Sequence, residues 1–335
     1  MQISQFQDFW RRVQREGRDL LELVLLPGAA ALLPWSAGFR MLRWLARWSW
    51  LFREQCAQAL NAASAHGLVA DPKTWAQEHR LVMLVDHADL YLSCTRTDRW
   101  LRQHVDVHGD WGVAGQAALL VTFHWAAGMW ALRQARASGL HPHMLLARQD
   151  GGGYVGRWVL QRYARARRRS VALASGRPII QVPGSMKALR QVLKEREQII
   201  VVIDVPPDQV NVTAPQRVLG RTVYMPIVLP RMAVDQGLPV TVFTLGLNLA
   251  TGRRDLRLYT LGACNDAQVL SERIFRQFER VVYERPACWH FWSIAERFFA
   301  EPLTAGNSAS QPSLAPGLPT QRDGADQRVE DGQGS

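Results

Sequence analysis

Lysine is nearly missing from this chain of 335 residues, which has Lys73, Lys187 and Lys194 among its 40 basic residues. The remaining 37 basic residues are therefore arginines. Arginine presents a planar fork of donors that binds phosphate in a bidentate manner. A GC-rich genome produces the same bias, so composition alone leaves a functional and a compositional explanation open.

Cysteine is also scarce, with four widely spaced residues at Cys56, Cys94, Cys264 and Cys288. They form no CxxC pair, which argues against a zinc site and against a dense disulfide framework, and we expect no metal. No cleavable signal-peptide pattern opens the chain, so we expect a reducing, cytosolic setting. No GxSxG sequence is present, which removes the main support for an α/β-hydrolase.

Acidic residues are outnumbered, with 29 against 40 basic ones, and the formal net charge is +11 with a pI near 10.2. This balance favours an anionic partner, which can be nucleic acid, a membrane surface or a phosphorylated substrate. No helix-turn-helix, zinc-finger or RNA-binding aromatic pattern accompanies the charge, so we do not expect nucleic acid. Residues 301–335 contain no aromatic residue and are rich in Gly, Ser and Pro, which predicts a disordered tail.

The chain has no uninterrupted apolar run of the length that spans a membrane. Residues 20–39 are apolar except for Glu22 and Ser36, but Pro27 and Pro34 divide them, which favours two short helices lying on a bilayer. Five of the thirteen tryptophans precede residue 51, as expected of rings at a lipid interface. We therefore predict a helical, membrane-proximal region over residues 1–100. Its predicted membrane-contacting residues are Trp10, Trp35, Trp44 and Trp48. Buried amphipathic helices packed on the rest of the domain are the alternative.

From about residue 104 the pattern alternates between short apolar runs and helical stretches. The predicted strands are 117–123, 141–148, 178–182, 199–205, 238–247 and 255–261, and the predicted helices are 125–137, 154–169, 185–198 and 266–285. This alternation predicts an α/β domain over residues 101–300, with a central mixed, mostly parallel sheet flanked by helices.

Two polar residues follow predicted strands. His124 comes directly after the apolar run 118–123, and Asp204 lies at the end of the strand over 199–205. Open α/β sheets place their sites at the carboxyl ends of strands, so the two residues can converge on one crevice. A helix predicted to begin directly after His124 favours the neutral imidazole that a general base requires. A helix-capping histidine and a turn-forming aspartate are the structural alternatives.

The order of these elements resembles the lysophospholipid acyltransferase superfamily, and within it the bacterial lipid A late acyltransferases, over most of residues 20–300. The segments that carry the resemblance are Leu25-Leu26-Pro27 through Trp44-Leu45-Ala46-Arg47, Val105-Asp106-Val107-His108-Gly109, Phe123-His124-Trp125, 146–150, 184–204, Leu219-Gly220-Arg221 and 232–240. No single segment is decisive, whereas their order and spacing together are specific.

One position departs from the family pattern. The family's motif has a histidine, four residues and then an acid that orients the imidazole, and here Met129 takes the place of the acid. Three explanations remain open. Another carboxylate, Asp204 first and Asp150 second, orients His124; or His124 works unassisted; or the chain has lost acyl transfer and binds only lipid or acyl carrier protein.

The resemblance implies direct acyl transfer from acyl carrier protein or acyl-CoA to a hydroxyl or amine of a lipid acceptor, with no cofactor. It implies His124 as the general base, with Asp204 as our choice of partner. It further implies that substrate or phosphate is bound by Arg148, Asp150, Gly220 and Arg221. The expected location is the cytoplasmic face of a bacterial inner membrane, as a peripheral or monotopic protein. The missing acid suggests a divergent branch of lipid A biosynthesis enzymes whose acceptor is not ordinary lipid A.

Overall fold

The computed structural model describes residues 3–148 and 156–299, so Asp150 and the predicted tail lie outside the described residues. The helices before the sheet are α1 (Ile3–Asp19), a π-helical turn (Leu20–Leu25), α2 (Leu26–Leu32), α3 (Trp35–Leu45), α4 (Arg53–Ala65), α5 (Pro72–Thr95) and α6 (Asp98–Gln103). Pro27 lies in the first turn of α2 and Pro34 directly precedes α3, positions that need no proline N–H. Pro34 separates α2 from α3, as predicted, whereas Pro27 does not divide the segment, because the chain is helical without a break from α1 through the π-helical turn into α2.

The second part of the chain alternates between strands and helices. Its elements are β1 (Val105–His108), β2 (Ala118–Thr122), α7 (Met129–Ala137), β3 (Pro142–Ala147), α8 (Trp158–Ser175), β4 (Ile180–Val182), α9 (Met186–Lys194), β5 (Gln198–Val202), β6 (Thr213–Val218), β7 (Arg221–Pro226), α10 (Val228–Asp235), β8 (Val240–Leu247), β9 (Arg254–Gly262) and α11 (Ala267–Glu284). Two short 3₁₀ helices (Pro286–Cys288 and His290–Ile294) and α12 (Glu296–Phe299) follow.

Seven of the strands form one sheet in the order β1-β9-β8-β2-β5-β3-β4. Strands β8 and β9 pair in the antiparallel sense, and all other neighbours in this sheet are parallel. The predicted α/β class with a mixed, mostly parallel sheet is therefore confirmed. Right-handed crossovers put α7 and α8 on one face of the sheet and α9 and α10 on the other. In agreement, α7 packs on α8, and one cavity is lined by residues of both α9 and α10.

The N-terminal helices share one hydrophobic core with the sheet. Helix α5 contributes buried residues along its length, from Trp75 to Leu92. Trp35 is 5% exposed and its Nε1 donates to the carbonyl of Gly252 at 3.0 Å. The prediction that Trp35 contacts a membrane is therefore wrong, because its ring packs between the first helices and the sheet. Within the described residues, no helix is both long and apolar enough to cross a bilayer.

Two local features differ from the sequence predictions. Strands β6 and β7 form a separate antiparallel hairpin, which the prolines at 215 and 226 conceal in the sequence. Helix α7 begins at Met129, whereas the prediction started it at Trp125. The prediction that His124 lies at a helix N-terminus is therefore wrong, because residues 124–128 form a turn held by tertiary hydrogen bonds.

Candidate active site

The sheet topology brings His124 and Asp204 together. Strands β2 and β5 are parallel neighbours with Thr122 opposite Val202, so their carboxyl ends meet at one edge. The chain leaves β5 through Ile203, whose N–H donates to the carbonyl of Thr122 at 3.0 Å. His124 and Asp204 each lie two residues beyond the end of their strand, and Nδ1 of His124 is 3.0 Å from Oδ1 of Asp204.

Asp204 is completely buried, and both of its carboxylate oxygens accept hydrogen bonds. The backbone N–H of His124 donates to Oδ1 at 2.9 Å and to Oδ2 at 3.0 Å. The indole Nε1 of Trp289 donates to Oδ2 at 2.8 Å. A carboxylate that accepts these bonds requires Nδ1 of His124 to carry a hydrogen, so the basic lone pair of the neutral ring lies on Nε2.

The Nε2 side of His124 remains available. The side chain is 36% exposed, and among residues 3–148 and 156–299 no hydrogen bond occupies Nε2. Phe291 stacks on one face of the imidazole, with ring centroids 3.7 Å apart and planes inclined by 21°. A buried carboxylate at Nδ1 and an open Nε2 are also the arrangement found in catalytic triads, where the histidine so oriented accepts a proton from the attacking group.

Three consecutive residues near the C-terminal end of the described chain touch this dyad. Trp289 binds Asp204, Phe291 stacks on His124, and the backbone N–H of His290 donates to the carbonyl of His124 at 2.9 Å. The sequence predicts none of these three residues. The dense aromatic run at 289–292, directly after a long helix, was the available indication.

The turn after His124 has an unusual backbone. Ala126 has a φ of 39°, a left-handed conformation that non-glycine residues rarely adopt. Its N–H donates to the carbonyl of Cys288 at 2.8 Å, and the next N–H, of Ala127, donates to Leu245 at 3.3 Å. Met129 is 4% exposed and accepts a hydrogen bond from Oγ of Ser170 on its sulfur at 3.4 Å. The motif position of the missing acid thus belongs to the core, and Asp204 occupies the place next to the imidazole.

The predicted phosphate-binding residues lie in different elements. Arg148 is exposed just beyond the end of β3, where its N–H donates to the carbonyl of Val182 at 2.8 Å. Gly220 has a φ of 74° in the two-residue turn of the β6–β7 hairpin, and Arg221 follows it. The guanidinium of Arg221 lies 5.3 Å from the ring centroid of Phe299. The structure does not describe Asp150 and shows no direct contact of Arg148 or Arg221 with His124.

The remaining predicted membrane-contacting tryptophans are on the surface. Trp10 is 48% and Trp44 is 52% exposed, and partly buried Trp48 packs edge-on against Trp44. Other exposed apolar side chains of the first helices are Phe9, Val13, Leu20, Leu25 and Leu32. We call these residues, together with Trp10 and Trp44, the N-terminal apolar surface.

Helix α1, which carries part of this surface, is attached near the edge of the sheet that carries His124. Asp19, at the end of α1, binds Arg157 with Oδ1 2.5 Å from Nη2. Glu16 of α1 accepts the N–H of Trp158 at 2.6 Å. Because α8 follows the carboxyl end of β3, α1 is joined to the chain on the same edge as His124.

No protein-family model matches this chain, and no curated protein sequence matches it.

Proposed function

We propose that this protein is an acyltransferase that moves a fatty or polyene acyl chain from a thioester donor to a hydroxyl or amine of a lipid-linked acceptor. The observation that carries the proposal is the dyad of His124 and buried Asp204, with Nε2 of His124 open at the exposed edge of the sheet. The donor is acyl carrier protein or acyl-CoA. The acceptor is a lipid A precursor or, given Met129, another lipid-linked product.

The dyad supports a general-base mechanism. Nε2 of His124 accepts the proton of the acceptor as its oxygen or nitrogen attacks the thioester carbonyl. The tetrahedral intermediate then collapses with cleavage of the C–S bond. The departing thiolate takes the proton from the imidazolium, so His124 returns to its neutral state. Throughout, Asp204 stabilises the positive form of the ring and fixes its orientation.

The basic residues support an anionic acceptor or donor. Arg148 follows the carboxyl end of β3, and Arg221 follows the turn of the β6–β7 hairpin. Neither forms an ion pair with a described carboxylate. A guanidinium that has no carboxylate partner within the described part of the chain is suited to bind phosphate in a charge-assisted, bidentate manner. Gly220 allows the hairpin turn that presents Arg221, since its left-handed backbone would strain most other residues.

The N-terminal apolar surface supports work at a membrane. Its exposed aromatic and aliphatic side chains accompany the exposed arginines Arg11, Arg12, Arg40, Arg43 and Arg47. Rings at the level of the headgroups, surrounded by cations, are typical of helices that lie in the interface of an anionic bilayer. The proposed location is the cytoplasmic face of the inner membrane, attached peripherally or monotopically.

The proposal is tested in two ways. Purified protein is mixed with vesicles of total lipid extract and either acyl carrier protein thioester or acyl-CoA, and released thiol and acylated lipid are measured. We expect acylated lipid from wild type, and a fall of about a hundredfold or more for His124→Ala. His143→Gln, at a second histidine–carboxylate pair, is the control that retains activity. Unchanged transfer by His124→Ala would reject the general base.

The acceptor is identified in cells. Mass spectrometry compares the total lipids of a deletion strain complemented with the wild-type or the His124→Ala gene. If one acylated species other than lipid A disappears in the variant, the divergent branch is correct. If lipid A itself loses a chain, the acceptor is the ordinary lipid A precursor. If the two lipid profiles are identical, the proposed acyl transfer is rejected.

A further inference from the structure

His290 holds the turn that carries His124 by two separate hydrogen bonds. Its backbone N–H donates to the carbonyl of His124 at 2.9 Å. Its ring Nε2 lies 2.6 Å from the carbonyl oxygen of Ala126. A carbonyl oxygen only accepts, so the hydrogen of this bond belongs to Nε2 of His290. The turn is therefore held at the residue that performs the proposed chemistry and again two residues later.

The second bond acts at the strained position. Ala126 has the left-handed φ of 39°, a conformation that is strained for an L-residue and persists only where its surroundings hold it. Its N–H donates to Cys288 and its C=O accepts from His290, so both polar groups of the residue are fixed by one segment, 288–290. Without these bonds the peptide between Ala126 and Ala127 can rotate toward a right-handed conformation.

The state of His290 suits this role. Burial lowers the pKa of its imidazole, although Asp86 and the bond to Ala126 act in the opposite direction. A neutral ring donates one hydrogen to Ala126 and places no positive charge beside His124, which must itself become positive during the reaction. The nearby charges of Asp86 and Arg167 neutralise one another in an ion pair, with Nη2 and Oδ1 2.8 Å apart.

We propose that His290 is a positioning residue that locks the turn 124–128, and thereby keeps Nδ1 of His124 on Asp204 and Nε2 directed outward. This inference rests on the proposed function for its effect on turnover, but its effect on the geometry of His124 does not. His290 touches neither donor nor acceptor in this scheme and acts only through the turn.

The test compares three variants of His290 that differ in where the side chain can place a hydrogen-bond donor. In His290→Gln the terminal amide can reach the position of Nε2, whereas His290→Asn is shorter by one methylene and cannot. His290→Leu removes the donor altogether. The backbone bond from residue 290 to His124 is present in all of them. If the Leu variant does not fold, the Gln and Asn pair still decides the question, and urea unfolding verifies that both are folded.

The first readout does not need enzymatic activity. Protein labelled with ¹⁵N-histidine is studied by NMR, and the ring signals of His124 are assigned by their loss in His124→Gln. We expect a single tautomer with a slowly exchanging Nδ1–H in wild type and in His290→Gln. We expect mixed tautomers or rapid exchange in His290→Asn and His290→Leu. The proposal is overturned if all variants retain the wild-type signals of His124, or if Gln behaves like Asn.

The second readout is turnover with the thioester donor and lipid vesicles. A shift of about 1 Å in a catalytic group costs about a hundredfold in rate. We therefore expect kcat to fall about tenfold to a hundredfold in the Asn and Leu variants, with KM for the donor unchanged and kcat restored by Gln. If His290 controls the NMR signals of His124 but wild type transfers no acyl group, the positioning role stands and the proposed function fails. If wild type is active but kcat is equal in all variants, only the positioning role fails.

Discussion

Two of the histidine–carboxylate pairs among the described residues lie at opposite edges of the same sheet. His124 and Asp204 meet at the carboxyl edge, while His143, at the start of β3, meets Glu197 directly before β5 at the amino edge. The ring of His143 uses both nitrogens, with Nε2 2.6 Å from Glu197 and Nδ1 3.2 Å from the carbonyl of Pro178. Glu197 also binds Arg177, and the side chains of His143 and Glu197 are 10% and 12% exposed.

The two pairs differ in whether the histidine ring keeps a nitrogen that can accept a proton. Both pairs join a histidine to a carboxylate at hydrogen-bond distance, yet only the pair at the carboxyl edge leaves a ring nitrogen without a partner among the described residues. An imidazole with both nitrogens occupied can hold elements together but cannot take a proton from a substrate. The comparison also supplies matched controls for every test of the dyad.

The largest effect is expected from Asp204→Asn. The amide cannot accept all the hydrogen bonds that the carboxylate accepts, and it does not stabilise the imidazolium, so we expect kcat for acyl transfer to fall about a thousandfold or more. Glu197→Gln is the matched change at the amino edge. It should leave kcat within about twofold and lower the free energy of unfolding by about 1–3 kcal/mol. Equal losses of activity in the two variants would contradict the distinction between the pairs.

The next effect concerns the motif position. Met129→Asp introduces the histidine–acid spacing of the family that the sequence resembles, but residue 129 is buried against Ser170 and points into the core. We expect the unpaired carboxylate to lower the free energy of unfolding by about 3 kcal/mol or more, without increasing kcat. Met129→Leu, which preserves the volume, should change stability by less than about 1.5 kcal/mol. Higher activity in Met129→Asp, measured beside urea unfolding, would show that residue 129 can still serve the dyad.

A smaller effect is expected from Trp289→Phe. It removes one charge-assisted hydrogen bond to Asp204 while keeping an aromatic ring in the cluster with Phe278 and Trp292. We expect kcat to fall about tenfold, since such a bond contributes about 1.5–3 kcal/mol and part of this acts on orientation. Trp292→Phe, which loses the bond from its Nε1 to the carbonyl of Pro286, is the control. It should reduce stability and leave kcat nearly unchanged.

The smallest effect extends the comparison to a histidine with no carboxylate. His79 is 1% exposed, and its Nδ1 donates to the carbonyl of Ala287 at 2.9 Å. Burial lowers its pKa to about 4, although the bond to Ala287 acts in the opposite direction. An unfolded histidine has a pKa of about 6.5, so below that pH the unfolded chain binds a proton that folded His79 excludes.

Stability contributed by neutral His79 is therefore fully present above pH 6.5 and is lost as the pH falls toward 4. We expect about 1 kcal/mol of this loss at pH 5.5. His79→Asn keeps a donor near Nδ1 but does not titrate, so its free energy of unfolding should depend less steeply on pH between 6.5 and 5 than that of wild type. The control, His141→Asn at an exposed position, should follow the wild-type curve. Parallel curves for all three proteins would show that His79 does not contribute.

Some residues of the site can be predicted from the sequence, and others cannot. His124 and Asp204 were found because each follows an apolar strand, and parallel strands align their carboxyl ends. Trp289, His290 and Phe291 are not predicted, since their contacts join distant parts of the chain: Trp289 and Asp204 are 85 residues apart, and His290 and Ala126 are 164 residues apart. The prediction for Trp35 is wrong for the same reason, because its partner, Gly252, is 217 residues away. Ala126 has no local sequence feature that predicts a left-handed backbone, because tertiary hydrogen bonds impose it.

The segment 288–291 has a consequence for the order in which the protein acquires its chemistry during synthesis. Chains grow from the N-terminus, and the strands that carry His124 and Asp204 leave the ribosome well before residues 288–291 are made. Until those residues arrive, Asp204 lacks its indole donor and the turn at Ala126 lacks both of its fixing bonds. A nascent or truncated chain ending before residue 288 would therefore carry the base and its acid without the parts that align them. The proposed acyl transfer would begin only after residues 288–291 have been synthesised and have packed against the dyad.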